Sequence, residues 1–149
     1  MNIRTSTSRD VESIVALFTA SVHLLAARNY TPDQLTAWAP KSPDLEQWST
    51  KLSTLETLVA EFDGTMVGFI TYTDNGHIVF LYTSPTFSRK GVASQLYEIT
   101  SRVLLANGVC SLSTEASIEA RPFFESKGFN VVEELVVERN GMLLKRFAM

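Results

Sequence analysis

The chain has 149 residues, 45% apolar and 19% charged, a mixture that suits one globular domain able to bury a core without disulfide or metal staples. A formal net charge of -3 excludes a general nucleic-acid binder, because neutralising phosphates needs a basic surface. The single cysteine, Cys110, excludes an intrachain disulfide and fits a reducing compartment. MNIRTSTSRD lacks the apolar core of a signal peptide, and the longest apolar stretch, Ile14 to Ala27, is interrupted by Thr19, Ser21 and His23 and is too short to cross a bilayer. A cytoplasmic protein free of the membrane is therefore expected.

Asn2 to Thr5 reads as a first strand. Ser8 is placed to cap a helix, with Asp10 and Glu12 in its first turn, and Val11, Ile14, Val15, Phe18, Val22 and Leu25 recur at helical spacing up to Ala27. Thr31-Pro32 starts a short helix that ends at Trp38 before Pro40, and Ser42-Pro43-Asp44 opens another over Leu45 to Leu52. Strands follow at Thr57 to Phe62, Met66 to Thr73 and Ile78 to Thr83, with turns at Asp63-Gly64 and Asn75-Gly76. The third is apolar nearly throughout, which predicts burial on both faces. A helix runs from Val92 to Asn107-Gly108, a strand from Cys110 to Glu115, and a helix from Ile118 to Lys127. Two last strands, Phe129 to Glu138 and Met142 to Phe147, are joined by Asn140-Gly141. The order β-α-α-β-β-β-α-β-α-β-β predicts a single α/β (α+β) domain over 1–149, a mixed and mostly antiparallel sheet of about seven strands with helices on both faces.

The most informative stretch is PTFSRKGVASQLY, residues 85 to 97. It joins a strand to a helix through a glycine turn, where the first amides of a helix have no internal partner and carry partial positive charge. Gly91 permits positive φ, Ala93 keeps the turn uncrowded, Ser94 offers a hydroxyl, and Arg89 and Lys90 add full charges. Together with the Val92 amide these make a pyrophosphate cradle. The other reading is an ordinary turn beside a solvated basic pair. The nucleotide motifs GxGxxG and GxxxxGK[ST] are absent.

The pattern x-x-x-G-x-A opening a helix resembles the acyl-CoA signature of the GNAT N-acetyltransferase superfamily. Ala120-Arg121-Pro122-Phe123-Phe124-Glu125-Ser126-Lys127-Gly128-Phe129 resembles that family's second element, a helix ending in Gly-Phe, and the element order matches over nearly the whole chain. Two positions depart from the pattern. Ser88 stands where Gln or Arg is usual, and Phe124 stands where many members carry the tyrosine that protonates the departing thiolate.

The resemblance implies transfer of an acetyl group from acetyl-CoA to a primary amine by direct attack. It further implies that the backbone of Leu81, Tyr82 and Thr83 pairs with the pantetheine arm, that Arg89 to Ser94 hold the pyrophosphate, and that Ser117, Ala120, Phe123 and Phe124 line the thioester channel. No motif supplies a base. Glu115, at a strand end beside the cofactor strand, is the first candidate, against a plain solvated carboxylate. Tyr82 divides between core and active site, while His23, Tyr30 and His77 are further candidates. Tyr30, Trp38 and Trp48 form a candidate acceptor wall, with His23 beside it, or else simply pack two short helices on the sheet. Tyr97 reads as core, and Cys110 has no His-Asp relay around it. No His, Cys or carboxylate cluster has metal-ligand spacing, so no metal is expected. The expected partner is a small-molecule amine, not nucleic acid or membrane, with the protein a monomer or homodimer. The rival classes are a non-catalytic acyl-CoA sensor and an enzyme that acetylates a protein amine.

Overall fold

The computed structural model describes residues 1–149. Twelve regular elements form: β1 Asn2–Thr5, α1 Val11–Leu25, α2 Pro32–Trp38, α3 Leu45–Ser53, β2 Glu56–Phe62, β3 Thr65–Tyr72, β4 His77–Thr83, α4 Val92–Ala106, β5 Ser113–Ala116, α5 Arg121–Ser126, β6 Glu133–Arg139 and β7 Met142–Ala148. The strands make one sheet in the order β1-β2-β3-β4-β5-β7-β6, antiparallel except between β4 and β5. That parallel pair requires the crossover carried by α4. Tight turns at Asp63-Gly64 and Asn140-Gly141 have positive φ at both central residues, the geometry that matches strand twist in a two-residue hairpin.

Helices cover both faces of the sheet. On one, α1, α2 and the connection between them bury Ile14, Phe18, Val22, Tyr30 and Leu35 against Val59, Phe69 and Leu144. On the other, Val92, Leu96 and Phe124 from α4 and α5 pack on Val67, Ile70, Ile78 and Phe147. Gly68 on β3 fixes how close α4 comes. A Cβ built there would lie 2.6 Å from Val92 Cγ1, 3.2 Å from Leu96 Cδ1 and 3.2 Å from the Tyr82 carbonyl oxygen. The missing side chain lets the first turn of α4 rest directly on the strand pair beneath it.

Several expected boundaries move, each for a local reason. The first helical turn is capped by Thr7 rather than Ser8. Thr7 accepts from the Arg9 N–H, while the Asp10 carboxylate reaches back to the Thr7 N–H, and a 3-10 turn over Ser8–Asp10 precedes α1. The α1 helix stops at Leu25, before Ala27. The β5 strand starts at Ser113 rather than Cys110, because its first partner, His77, is also the first residue of β4. The α5 helix starts at Arg121 rather than Ile118. Ser117 to Ala120 instead form a turn, and Pro122, which has no N–H, is tolerated only at a helix start. The β6 strand begins at Glu133 rather than Phe129, since β7 ends at Ala148 and offers nothing further to pair with. Finally, β4 is not buried on both faces: only Ile78 is buried, and Val79 to Thr83 are half-exposed because β5 has left their side.

Asp10 also anchors β1. Its two oxygens accept from Arg4 Nη1 and Nη2, each at 2.8 Å, while Arg4 Nε donates to Glu61 on β2 at 2.7 Å. The Arg4 guanidinium holds the Asp10 carboxyl down at about 2. A depressed folded-state value means stability that is fully present above the ordinary carboxylate range and lost as pH falls toward 2. The stability gap between wild type and Asp10→Asn should therefore be constant above about pH 5 and shrink steadily below about pH 4, read by urea unfolding. Gly68→Ala should cost about 1–3 kcal/mol by overpacking Val92, and an unchanged urea midpoint would contradict the close approach described here.

Candidate active site

Strands β4 and β5 are paired only at His77 with Ser113 and Ile78 with Thr114. Thr114 Oγ1 donates to the Ile78 carbonyl at 3.0 Å, and beyond that point the strands separate. The β5 strand turns to β7 instead, pairing Glu115 with Ala148 and Ala116 with Phe147. On its other side β4 keeps β3, although the register skips Val79 between the pairs Thr71–Phe80 and Tyr72–Ile78. Ser84 N–H donates to Val67 C=O at 2.8 Å. By antiparallel parity Tyr82 turns its backbone groups to β3, while Leu81 and Thr83 turn theirs into the gap. The gap is thus walled by peptide groups of Leu81 and Thr83 that have no strand opposite them. The Tyr82 backbone is committed to the sheet, and its side chain is what Tyr82 presents to the α1 face, edge-on to Phe18 at 4.9 Å between ring centroids.

At the end of β4 the chain passes through a 3-10 turn, Pro85–Phe87, into the start of α4. Arg89 has φ 58° and Gly91 φ 84°, two left-handed residues flanking Lys90. Such alternation turns successive amides toward one side and makes an anion-binding concavity. None of the backbone amides from Ser88 to Ser94 donates to a protein acceptor, the first bond of the turn being Gln95 N–H to Gly91 C=O at 3.0 Å. Nothing lies within 4 Å of a Cβ built on Gly91, so its constraint is conformational and the space before it is open. Ser88 Oγ donates to the Pro85 carbonyl at 3.3 Å and shapes the turn.

On the α1 face a cleft of about 440 Å³ opens beside the gap, walled by Trp38, Trp48, Phe80 and Tyr82 and floored by charged groups. Arg146 is the centre of this charge. It lies on β7 in the same alternation as buried Leu144, and its side chain is only 12% exposed. Its Nε sits 3.4 Å from a Glu115 carboxylate oxygen, its Nη2 donates to the Glu115 carbonyl at 3.1 Å, and its guanidinium lies 5.3 Å from the Trp38 ring centroid. Arg139 approaches the same Glu115 oxygen at 3.8 Å. Burial pushes the Tyr82 phenol above its ordinary value.

Of the residues expected at the site, Tyr82, Trp38 and Glu115 line this cleft together with Trp48 and His77. His77 Nδ1 is 2.9 Å from Ser113 Oγ. His23 and Tyr30 do not line it. His23 Nε2 donates to the Ala39 carbonyl at 2.7 Å and ties α1 to the end of α2. Tyr30 is buried; its phenol donates to the Lys145 carbonyl at 2.6 Å and accepts from the Ile118 N–H at 3.1 Å. These two are struts, because each polar atom is already used inside the protein. Phe124 is 3% exposed and packs edge-on to Phe123 and Phe129 as core. Ser117 Oγ accepts from the Ala120 N–H at 3.2 Å, and Phe123 is half-buried with its ring 6.1 Å from that of Tyr97. Tyr97 and exposed Cys110 face a separate groove of about 550 Å³ that shares no residue with the cleft.

Two residues in and near the cleft carry no sequence motif, Arg146 in its lining and Glu119 outside it. Arg146 was detectable only as a charge on the core-facing alternation of β7. Glu119 sits in the Ser117–Ala120 turn beside Ser117 and Asn29, its carboxylate sealed from solvent and its proton affinity raised chiefly by burial.

A family model described as an acetyltransferase (GNAT) domain matches residues 26–149. The chain is 34% identical over 149 residues, all of it and 94% of the relative, to an uncharacterized N-acetyltransferase, YafP, of Escherichia coli (strain K12). Its fold superposes with a TM-score of 0.95 on the crystal structure of a GCN5-related N-acetyltransferase of Rhodopseudomonas palustris, at 30% identity, covering 99% of this chain and 92% of that one. A putative acetyltransferase of Salmonella typhimurium, yncA, solved with its cofactor acetyl-CoA, shares the fold at a TM-score of 0.70 and 17% identity, covering 99% and 91%.

The Tyr30 strut predicts a measurable loosening. Tyr30→Phe leaves the Lys145 carbonyl and the Ile118 amide without their partner, which should cost about 1–3 kcal/mol. Hydrogen exchange at Ile118 should accelerate by more than the global destabilisation accounts for; unchanged protection there would remove the strut.

Proposed function

Because this chain belongs to the GNAT acetyltransferase family, we propose that it moves an acetyl group from acetyl-CoA to a primary amine of a small molecule. The observation that carries the donor is the row of unpaired amides from Ser88 to Ser94 at the mouth of the β4–β5 gap. Those amides, with Arg89 and Lys90, match the doubly charged pyrophosphate, and the Leu81 and Thr83 peptide groups match an extended amide-bearing arm. In this reading Ala120 and Phe123 would line the thioester arm's far side, with Ser117 holding the turn before them. When bound, the thioester supplies an activated acetyl carbon.

The protein's own tasks follow from the chemistry. An alkyl amine with a pKa near ~10 is almost wholly protonated at neutral pH, so a group must take its proton. A backbone N–H in the gap, from Leu81 or Thr83, is positioned to stabilise negative charge on the carbonyl oxygen. A thiolate with a pKa near ~8.5 leaves without obligatory protonation, which tolerates Phe124 at the position of the usual tyrosine. The Tyr82 phenol, kept protonated by burial, is the hydroxyl of the cleft that can donate to it. Glu115 is engaged by two guanidiniums, and its role in this scheme is to hold Arg146.

The acceptor class rests on the cleft. Its volume of about 440 Å³ lies within the range of small-molecule sites, and Trp38, Trp48 and Phe80 offer flat apolar walls to an amine bearing an apolar or aromatic body.

Two measurements test this. Calorimetry should find CoA binding, weakened about tenfold or more in Gly91→Val, whose side chain disfavours the left-handed conformation. A thiol-release assay with acetyl-CoA and a panel of small primary amines should show turnover. No heat with CoA would end the cradle assignment, and binding without release for any amine would favour a sensor.

A further inference from the structure

We propose that the acceptor amine also carries a carboxylate, read by Lys51 and Arg139, an assignment that rests on the acetyl-transfer reading above. The chain as a whole is acidic, with 16 Asp and Glu against 13 Lys and Arg. In the cleft on the α1 face that balance reverses. Its lining carries the cations Lys51, Arg139 and Arg146 against the acids Asp44 and Glu115. They arrive from α3 and its cap, β5, β6 and β7, so packing and not a run of sequence assembles them.

Neither acid is free to neutralise the two reachable cations. Asp44 caps α3, its Oδ1 accepting from the Gln47 N–H at 3.0 Å, and makes no ion pair. Glu115 is shared: its carboxylate lies 3.4 Å from Arg146 Nε and 3.8 Å from Arg139 Nη2, and its carbonyl accepts from Arg146 Nη2. Arg146 is the nearer and more deeply buried of these partners. Arg139 keeps 47% of its side chain exposed, and its Nη1 donates to the neutral Glu138 carbonyl at 3.0 Å. Lys51 is exposed and forms no salt bridge; its Nζ stands 5.0 Å from the Phe80 ring centroid. The aromatic walls favour the same ligand. An ammonium could in principle be held on ring faces, but Lys51 already stands over Phe80 and Arg146 over Trp38. A further cation there meets like charge, whereas a carboxylate meets two cations with donors to spare, in charge-assisted hydrogen bonds.

The carboxylate takes no part in the bond changes. The acceptor nitrogen, entering as an ammonium, gives up two protons and forms the C–N bond at the thioester carbon. The C–S bond breaks with its electron pair on sulfur, which takes one of those protons, and the other passes to water. The products are an N-acetylated carboxylate and CoA thiol.

The test measures kcat/KM with acceptors matched in shape and differing in charge: para-(aminomethyl)benzoate against its benzamide, and phenylalanine against phenylalaninamide. Each pair is run with wild type, Lys51→Gln, Arg139→Gln and the double variant. Wild type should prefer the carboxylate of at least one pair by about fivefold or more, and the double variant should bring that preference to within about twofold. The wild-type preference should also shrink as salt is added, because both cations are open to solvent. A smaller wild-type preference in both pairs, or a double variant that keeps the full preference, would overturn the assignment and leave acetyl transfer standing. Absence of turnover by wild type with every amine would overturn the transfer reading and this assignment with it. If the double variant does not fold, the single variants decide: a lowered ratio in either supports the proposal, and an unchanged ratio in both overturns it.

Discussion

The structure turns on the parting of β4 and β5 after two residue pairs. A continuous sheet would have satisfied the peptide groups of Leu81 and Thr83 within the protein. Because β5 leaves to pair with β7, those groups stay open, and the side chains that follow on β4 are half-exposed although their sequence is that of a buried strand. Unpaired backbone inside a fold costs free energy, so the separation must be held from outside the two strands. The Tyr30 phenol does part of this work by clasping the Ile118 amide and the Lys145 carbonyl, one just past β5 and one within β7. Gly68 does another part. It lets the first turn of α4 settle on β3, which sets the unpaired amides of Ser88 to Ser94 at the open end of the gap.

Charge is distributed with the same economy. Arg146 is placed on the core-facing side of β7, where a guanidinium would be intolerable alone. It is made tolerable by Glu115, by the Glu115 carbonyl and by the face of Trp38. Pairing Arg146 in this way consumes Glu115, while the carboxylate of Glu119, four residues on, is sealed from solvent. Two acids four residues apart in sequence thus meet different surroundings, one beside two guanidiniums and the other sealed from water.

Much of the fold could be read directly. The hairpins at Asp63-Gly64 and Asn140-Gly141, the capping of α2 by Thr31 and the long periodic helices α1 and α4 all form where local chemistry dictates. The open row of amides ahead of α4 was legible for the same reason, since a glycine between a strand and a helix acts through its own φ and the amides next to it. Edges that depend on a partner were misread. Cys110 and Phe129 look like strand starts by composition, but β5 begins only where His77 offers pairing and β6 only where β7 still runs alongside. His23 and Tyr30 illustrate the equivalent limit for site residues: a polar group on a helix or loop reads the same whether it greets a substrate or braces a distant carbonyl.

Local sequence by itself determined the element types, the two tight hairpins, the unpaired amides ahead of α4 and the membership that its motifs signal, because each depends on interactions within a few residues of chain. Tertiary structure alone decided that Tyr30 and His23 are braces, that Phe124 is core and that Glu115 is spent on Arg146. Those outcomes depend on which atoms from distant segments arrive within hydrogen-bonding distance and which are sealed from water. Desolvation and partner geometry are properties of packing, and no spacing along the chain encodes them.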